Sequence, residues 1–523
     1  MKKVFCIVFA ALSCISTKIS AQGKLDISNV YKVELKNQGA IITNSEVKGY
    51  FLFYISDKID KKTYEYTLQI LDENLNKVKD IRFEDSKKLS LLEASFNGIN
   101  LMFEFFDGEE KSLVFRSYDF TGKQVAAYYR ELDKKSFRFY AEQSSQSKED
   151  TQNRTLFPVE GKGFISLIPV RDEGKDYAYE VNYYRSDTKS QWTFNPESDD
   201  KFEQAQFLGT NDSVAVMQVT HKKSLLGGKY ESWLVGLSLI NGKQIFAFET
   251  ENKDKYNFMP MNVATIAGEN GFVLSGPYYN AGDNVVKDKS IGLGIWVMDN
   301  KGNIVKAKYD TWNTELSKFM DVKGNGKVDD LGYLFIHKII RTSDDKIFAI
   351  AEGYKKQANA AGIAANVLVT GLGGRPGFSN IKLRITDIVV LEFDKDFDLK
   401  RATTYDKGDN SVAMESGMEF MGPQTLAMLA KYVYDAFDYS YTQIPADRSG
   451  FVVGYNDYVK EDGYKGGTFN TISYDAGKFT TDKINLNTSA SSLLVLPGKT
   501  GSVVILEYFK KEKKLSMRME KMN

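Results

Sequence analysis

The sequence predicts an all-β fold: a single β-propeller of seven or eight four-stranded blades, closed by pairing of an N-terminal strand with the last blade. One unit recurs along the chain. It is an apolar strand-like run and a polar gap, then a second run ending in an Asp/Asn/Gly/Lys turn and a short third run. Its clearest copies span 112–125, with the turn Asp119–Gly122, and 291–305, with the turn Asp299–Gly302. Copies repeat at roughly 50–80 residues with four short strands each, the signature of propeller blades. The last copy ends at 514–522 without a fourth strand, while the strand-like stretch 25–35 has no neighbour to pair with. Joining the two leaves no sheet edge exposed between the termini. A β-sandwich with a satellite domain leaves that match unexplained.

Residues 1–21 read as a secretory signal peptide. Lys2 and Lys3 precede an apolar run over 4–12, and the small residues Ser20 and Ala21 stand before Gln22. The predicted location is therefore periplasmic or secreted. Both cysteines, Cys6 and Cys14, fall inside this segment, so the mature chain has no disulfide, Cys–metal site or Cys nucleophile. Lipidation of Cys14 is disfavoured because Ala11 stands where a lipobox places Leu. Without Lys2, Lys3 and Lys18, 66 basic side chains face 69 acidic ones, and no basic stripe suits nucleic acid. No later run reaches the ~18 apolar residues of a membrane-spanning helix. With nine prolines and no Ser/Thr/Pro or Gly/Ser linker, residues 22–523 read as one domain. A content of 13% aromatic residues suits pleated, half-buried surfaces.

Second strands are predicted at 50–56, 99–106, 164–170, 213–220, 272–277, 347–352, 425–434 and 502–508, with 449–458 as a rival near the C-terminus. Several follow hairpin turns such as Asn97-Gly98. Third strands are predicted at 64–71, 113–118, 179–184, 232–239, 292–298, 387–393 and 468–474, each closing in a polar turn. Two insertions interrupt the pattern. Near 309–332, residues 311–320 read as a short helix. Near 357–382, the Ala/Gly stretch 358–380, whose sole charge is Arg375, reads first as a flexible loop, with a short helix or a flap across the mouth of the ring as alternatives.

Few motifs carry chemistry. Asp321, Asn325, Gly326, Val328 and Asp329 resemble a calcium loop. Lys323 and Gly332 stand where two acidic ligands belong, and a hard dication needs six to eight oxygens. The predicted reading is a Gly-rich turn with no metal. Residues 371–377 lack the glycine spacing and the Gly-Lys-Ser/Thr ending of a nucleotide loop. Only His221 and His337 supply imidazole, too few for zinc, and His337 alternates within an apolar strand as a core residue does. No cofactor is inferred.

If the ring reading holds, every second-to-third-strand loop opens on one face. The loop mouths carry Asp107, Arg171, His221, Tyr278, Tyr279, Glu352, Tyr354, Tyr434 and Asp435. Aromatic rings among hydrogen-bonding groups suit a carbohydrate or peptide, because rings offer apolar area at low entropy cost. The predicted function is binding of a glycan, peptide or envelope protein by a monomer, with no catalysis inferred. The alternative is an envelope glycan hydrolase or lyase using carboxylates on that face.

Ser20-Ala21-Gln22, the strand Gly332-Tyr333-Leu334-Phe335-Ile336-His337-Lys338 and the segment Ala351-Glu352-Gly353-Tyr354-Lys355-Lys356 resemble an uncharacterised family of exported Bacteroidetes proteins with propeller-like repeats. The resemblance covers most of the mature chain. It implies export and brings no catalytic motif.

Overall fold

A computed structural model describes residues 23–522 apart from 44, 146–153, 171–177, 188–189, 198–201, 223–229, 253–254, 266–270, 325, 372–378 and 462. The signal-peptide expectation for 1–21 therefore lies outside the described residues. Eight antiparallel sheets follow one another along the chain. We number them as blades 1 to 8, counting strands outward from the innermost. Blade 2 shows the plain pattern: Leu89–Phe96, Asn100–Asp107, Ser112–Asp119 and Gln124–Glu131.

Eight apolar seams join these sheets in a cycle. Phe51 packs with Phe103 across blades 1 and 2, Phe115 with Tyr184 across 2 and 3, and Val181 with Met217 across 3 and 4. Val216 and Leu274 share the next seam, Val273 and Leu391 the one after, and Phe348 and Phe451 the sixth. Phe469 and Val503 join blades 7 and 8, and Leu506 and Leu52 join blade 8 to blade 1. Successive residues of one strand serve opposite seams: Val503 and Ile505 face blade 7, whereas Val504 and Leu506 face blade 1. Each sheet is thus covered on both sides. That is why the strands read as continuous apolar runs and not as alternating ones.

Blade 8 takes three strands from the C-terminus, Ser492–Pro497, Ser502–Phe509 and Lys514–Lys521, and its outermost strand, Lys24–Ile27, from the N-terminus. In that last pair Leu25 stands opposite Met517, and Ser516 Oγ donates to Asp26 Oδ1 at 2.6 Å. Pairing stops at Ile27. The remainder of the predicted stretch turns towards blade 1, where Lys32–Val33 pairs with the second strand.

The recurrent polar turns join third strands to fourth strands. Asp72, Asp119, Asp299 and Asp394 each accept the backbone N–H groups two and four residues on with Oδ1. These bonds replace the ladder where the chain reverses. At Asp299 the Asn303 side chain, followed by these backbone donors, holds the carboxyl below the usual range.

Three expectations need correction. Residues 425–434 are not a strand: Pro423–Tyr432 is a helix (α3), and the rival prediction near 449–458 is the second strand of blade 7, Gly450–Glu461. Pro423 starts α3 where its missing N–H costs nothing, and Leu426, Ala427 and Ala430 form its buried stripe. Within 358–380 the described part takes the alternative reading and not the favoured loop: it is a helix, Ala360–Gly371 (α2), at the tip of the long hairpin of blade 6. Residues 311–320 hold a single 3-10 turn, Leu316–Lys318, in place of the short helix.

Candidate functional site

A hairpin from second to third strand and a connection from fourth strand to the next blade leave a sheet at the same end. The first helix, Lys134–Ser145 (α1), connects blades 2 and 3; α2 tips the blade 6 hairpin; α3 connects blades 6 and 7. All three therefore stand on one face of the ring.

α3 is the organiser of this face. Its approach, Gly422, donates its N–H to the Val286 carbonyl of blade 5, and Gln424 Nε2 donates to Ser290 Oγ at 2.7 Å. Leu426, Ala427 and Ala430 pack on Tyr333, Tyr354 and Leu383 of blade 6. Beneath its C-terminal end lies a buried charge cluster. Glu352 and Lys407 expose none of their side chains, and Lys407 Nζ sits 3.2 Å from Glu352 Oε1 and 2.6 Å from Asp438 Oδ2. The backbone N–H groups of Asp438 and Tyr439 donate to the two Glu352 oxygens, both at 3.2 Å. His337 Nε2 lies 3.2 Å from Glu352 Oε2, its ring stacked 4.5 Å from that of Tyr439.

A bulge between Ile336 and Lys338 in the first strand of blade 6 turns His337 into this interior. Burial, then Lys431 and Lys407, holds His337 well below the usual imidazole range, so it is neutral. Burial raises the Glu352 carboxyl against the pull of Lys407, and pushes Asp438 up to about 6. Chemically this is a tie. Lys407 joins two carboxylates from different blades, Glu352 with its side chain fully buried and Asp438 with 16% of its side chain exposed.

Five of the nine sequence-predicted site residues gather around α3, mostly inside the protein, and Tyr278 lies in the seam between blades 4 and 5. Tyr278 is buried with its hydroxyl 2.8 Å from Thr311 Oγ1, Tyr279 packs with Met259 and Val285, and Tyr354 lies under α3. Glu352 belongs to the tie, and Tyr434 and Asp435 follow the end of α3, half-buried. The expected aromatic rim is therefore an aromatic interior at Tyr278, Tyr279 and Tyr354. The strands Gly271–Asn280 and Ile347–Ala358 run past their predicted ends, and α3 covers them. The others stand apart. Asp107 Oδ1 caps its hairpin by accepting from Glu109 and Glu110, and His221 Nδ1 lies 3.2 Å from Glu203 Oε1 in blade 4. Arg171 lies outside the described residues.

The calcium-like loop is a tight turn in which Lys323 pairs with Asp329 at 2.6 Å; Asn325 lies outside the described residues. Among the described residues no three His, Cys, Asp or Glu side chains converge to hold a metal ion. No helix among them is long and apolar enough to cross a membrane.

The surface that sequence reasoning missed is α2. Its inward residues are Gly362 and Asn366, and Asn366 Nδ2 donates to Asn380 Oδ1 at 2.8 Å. At Gly362 any Cβ would meet the Ser379 carbonyl. Its outward residues include Val367, 69% exposed, and Leu368, 65% exposed. Phe420, 82% exposed, rides on the 3-10 turn Met418–Phe420. Lys356 of the same blade 6 hairpin donates to the carbonyls flanking it. The helix is inside-out, polar towards the protein and apolar towards solvent. The charge-free composition of 360–371 was the available signal.

The fold and this face define a β-propeller that carries its helices on one side. The chain belongs to the family described as a family of unknown function (DUF6770), whose model matches residues 1–523. No curated protein matches the sequence. Similar solved structures include prolyl oligopeptidase B from Galerina marginata, at 9% identity and TM-score 0.38, covering 92% of this chain and 57% of that one. They also include the WD40 domain of SCAP from fission yeast, at 8% identity and TM-score 0.38, covering 95% and 94%. The chain thus spans little more than half the length of the prolyl oligopeptidase it resembles.

Proposed function

We propose that this protein is an exported, monomeric propeller that binds an apolar peptide segment of an envelope protein through its helical face, without catalysis. The inside-out α2 carries the reading. Among the described residues nothing covers Val367 and Leu368, so they leave apolar area in water that association would bury. Of the glycan, peptide and envelope-protein ligands the sequence admits, an aliphatic helix suits a polypeptide, because sugars are held by rings and hydrogen bonds. The hydrolase reading gains no support from Glu352 and Asp438, which share Lys407 beneath α3.

Peptide and glycan arrays probed with the mature chain and with a Val367→Asp/Leu368→Asp variant test this. Both positions are exposed, so thermal unfolding should be unchanged within about 0.5 kcal/mol. Binding to apolar peptides should fall at least tenfold. Undiminished peptide binding by the variant, or binding of glycans alone, would overturn the proposal.

A further inference from the structure

The opposite face, where first strands turn into second strands, holds a groove of about 490 Å³. That volume is in the range of small-molecule sites. Its inner end is built by the first strands of blades 4, 5 and 6 near Thr210, Thr265 and Lys338, with Arg448 from blade 7. It continues outward along the seam between blades 5 and 6, where Val297 and Phe397 line it. Among the described residues the lining is apolar or basic apart from Thr210 and Thr265, with five cations and no carboxylate. Two cations are neutralised just outside, Lys306 by Asp396 and Arg341 by Asp345.

Lys338 has no such partner among the described residues. The bulge that sends His337 into the blade sends Lys338 into the groove, where solvent reaches it although protein surrounds it. Burial, followed by repulsion from Arg448, holds its ammonium below the usual lysine range. Among the described residues the Arg448 guanidinium makes one long bond, Nη2 to the Thr265 carbonyl at 3.4 Å, and its backbone is left-handed at φ 54°. Lys338, exposed, and Arg448, half-buried, thus stand together at the inner end of the groove with no carboxylate beside them among the described residues, an arrangement that attracts an anion. The apolar seam beside them fixes what that anion carries.

We infer that this groove binds a small organic anion, its acidic head between Lys338 and Arg448 and its apolar body along the seam between blades 5 and 6. Head groups of carboxylate and phosphate type share this chemistry. The site is on the far side of the ring from α2, so its test is independent of the peptide reading.

Isothermal titration of the mature protein would use decanoate, decyl phosphate, inorganic phosphate and decyltrimethylammonium. Saturable 1:1 binding is expected for at least one decyl anion, and the tighter of the two assigns the head. Lys338→Met should weaken it at least tenfold, and Arg448→Gln should weaken it as well. Lys338→Met removes an unpartnered cation, so its unfolding temperature should not fall. The inference is overturned if neither decyl anion binds, if Lys338→Met binds as tightly as the parent, or if decyltrimethylammonium binds equally well. Inorganic phosphate binding as tightly as decyl phosphate would remove the role of the apolar seam.

Discussion

At Glu104, in the second strand of blade 2, the interior holds a carboxyl with one hydrogen bond. Thr155 Oγ1 donates to its Oε2 at 2.6 Å, and Oε1 has no partner. Burial pushes its pKa up to about 8, so the group is a neutral acid at neutral pH. A carboxyl raised on folding stabilises the native state fully below its unfolded value near 4.5, and that contribution is lost as pH rises through 8. Wild-type stability should therefore fall relative to Glu104→Gln by up to ~1.4 kcal/mol per pH unit between those limits. Urea unfolding of both proteins across that range checks this; parallel profiles would show that Glu104 ionises freely. No residue pattern foretold Glu104 or Lys407. Their environments are made by Thr155 and Asp438, brought in from other blades, and a single strand sequence holds no trace of such partners.

Among the elements, the connection between blades 6 and 7 is held by charge. Lys407, on the stretch after the fourth strand of blade 6, ties Glu352 to Asp438 at the entrance of blade 7. Lys407→Met strands both carboxylates and should cost about 3–5 kcal/mol in chemical denaturation. Adding Glu352→Gln should recover part of that loss, and a purely additive double variant would show that the three groups are not coupled. The hairpins of this fold were legible because their signals are local. Asp299 and its counterparts fold back on their own backbone, and the apolar runs on either side need only a strand to explain them. α3 was misread because Leu426 to Ala430 is a short apolar run, and such a run has no periodicity that separates helix from strand. Gly422 followed by Pro423, with Ala, Leu and Met after them, held the deciding signal. The candidate site failed at Tyr278 and Tyr354 for a related reason: strand ends were placed too early, so interior residues were assigned to the mouths of loops.

For the whole molecule the decisive feature is that each blade is covered on both sides, so no sheet owns a core of its own. Blade 8 is the sensitive point because its outermost strand is four residues long and comes from the other terminus. Leu25→Pro removes a ladder donor and a side chain that packs against the seam between blades 8 and 1. It should destabilise the ring by about 3 kcal/mol, and hydrogen exchange should rise first along 514–521. Uniform exchange around the ring, with no preference for that strand, would show that the short strand does not gate opening.

The pairing of Lys24–Ile27 with Lys514–Lys521 also sets an order of events during synthesis. The first of these strands leaves the ribosome before the other strands of the ring, and its neighbour emerges after all of them. Until then the early segment must wait unpaired while the other sheets accumulate. Completion is a long-range contact of the kind that slows folding. A nascent chain interrupted before Lys514–Lys521 leaves Lys24–Ile27 unpaired and keeps an open edge on the eighth sheet, the kind of edge that invites pairing with other chains.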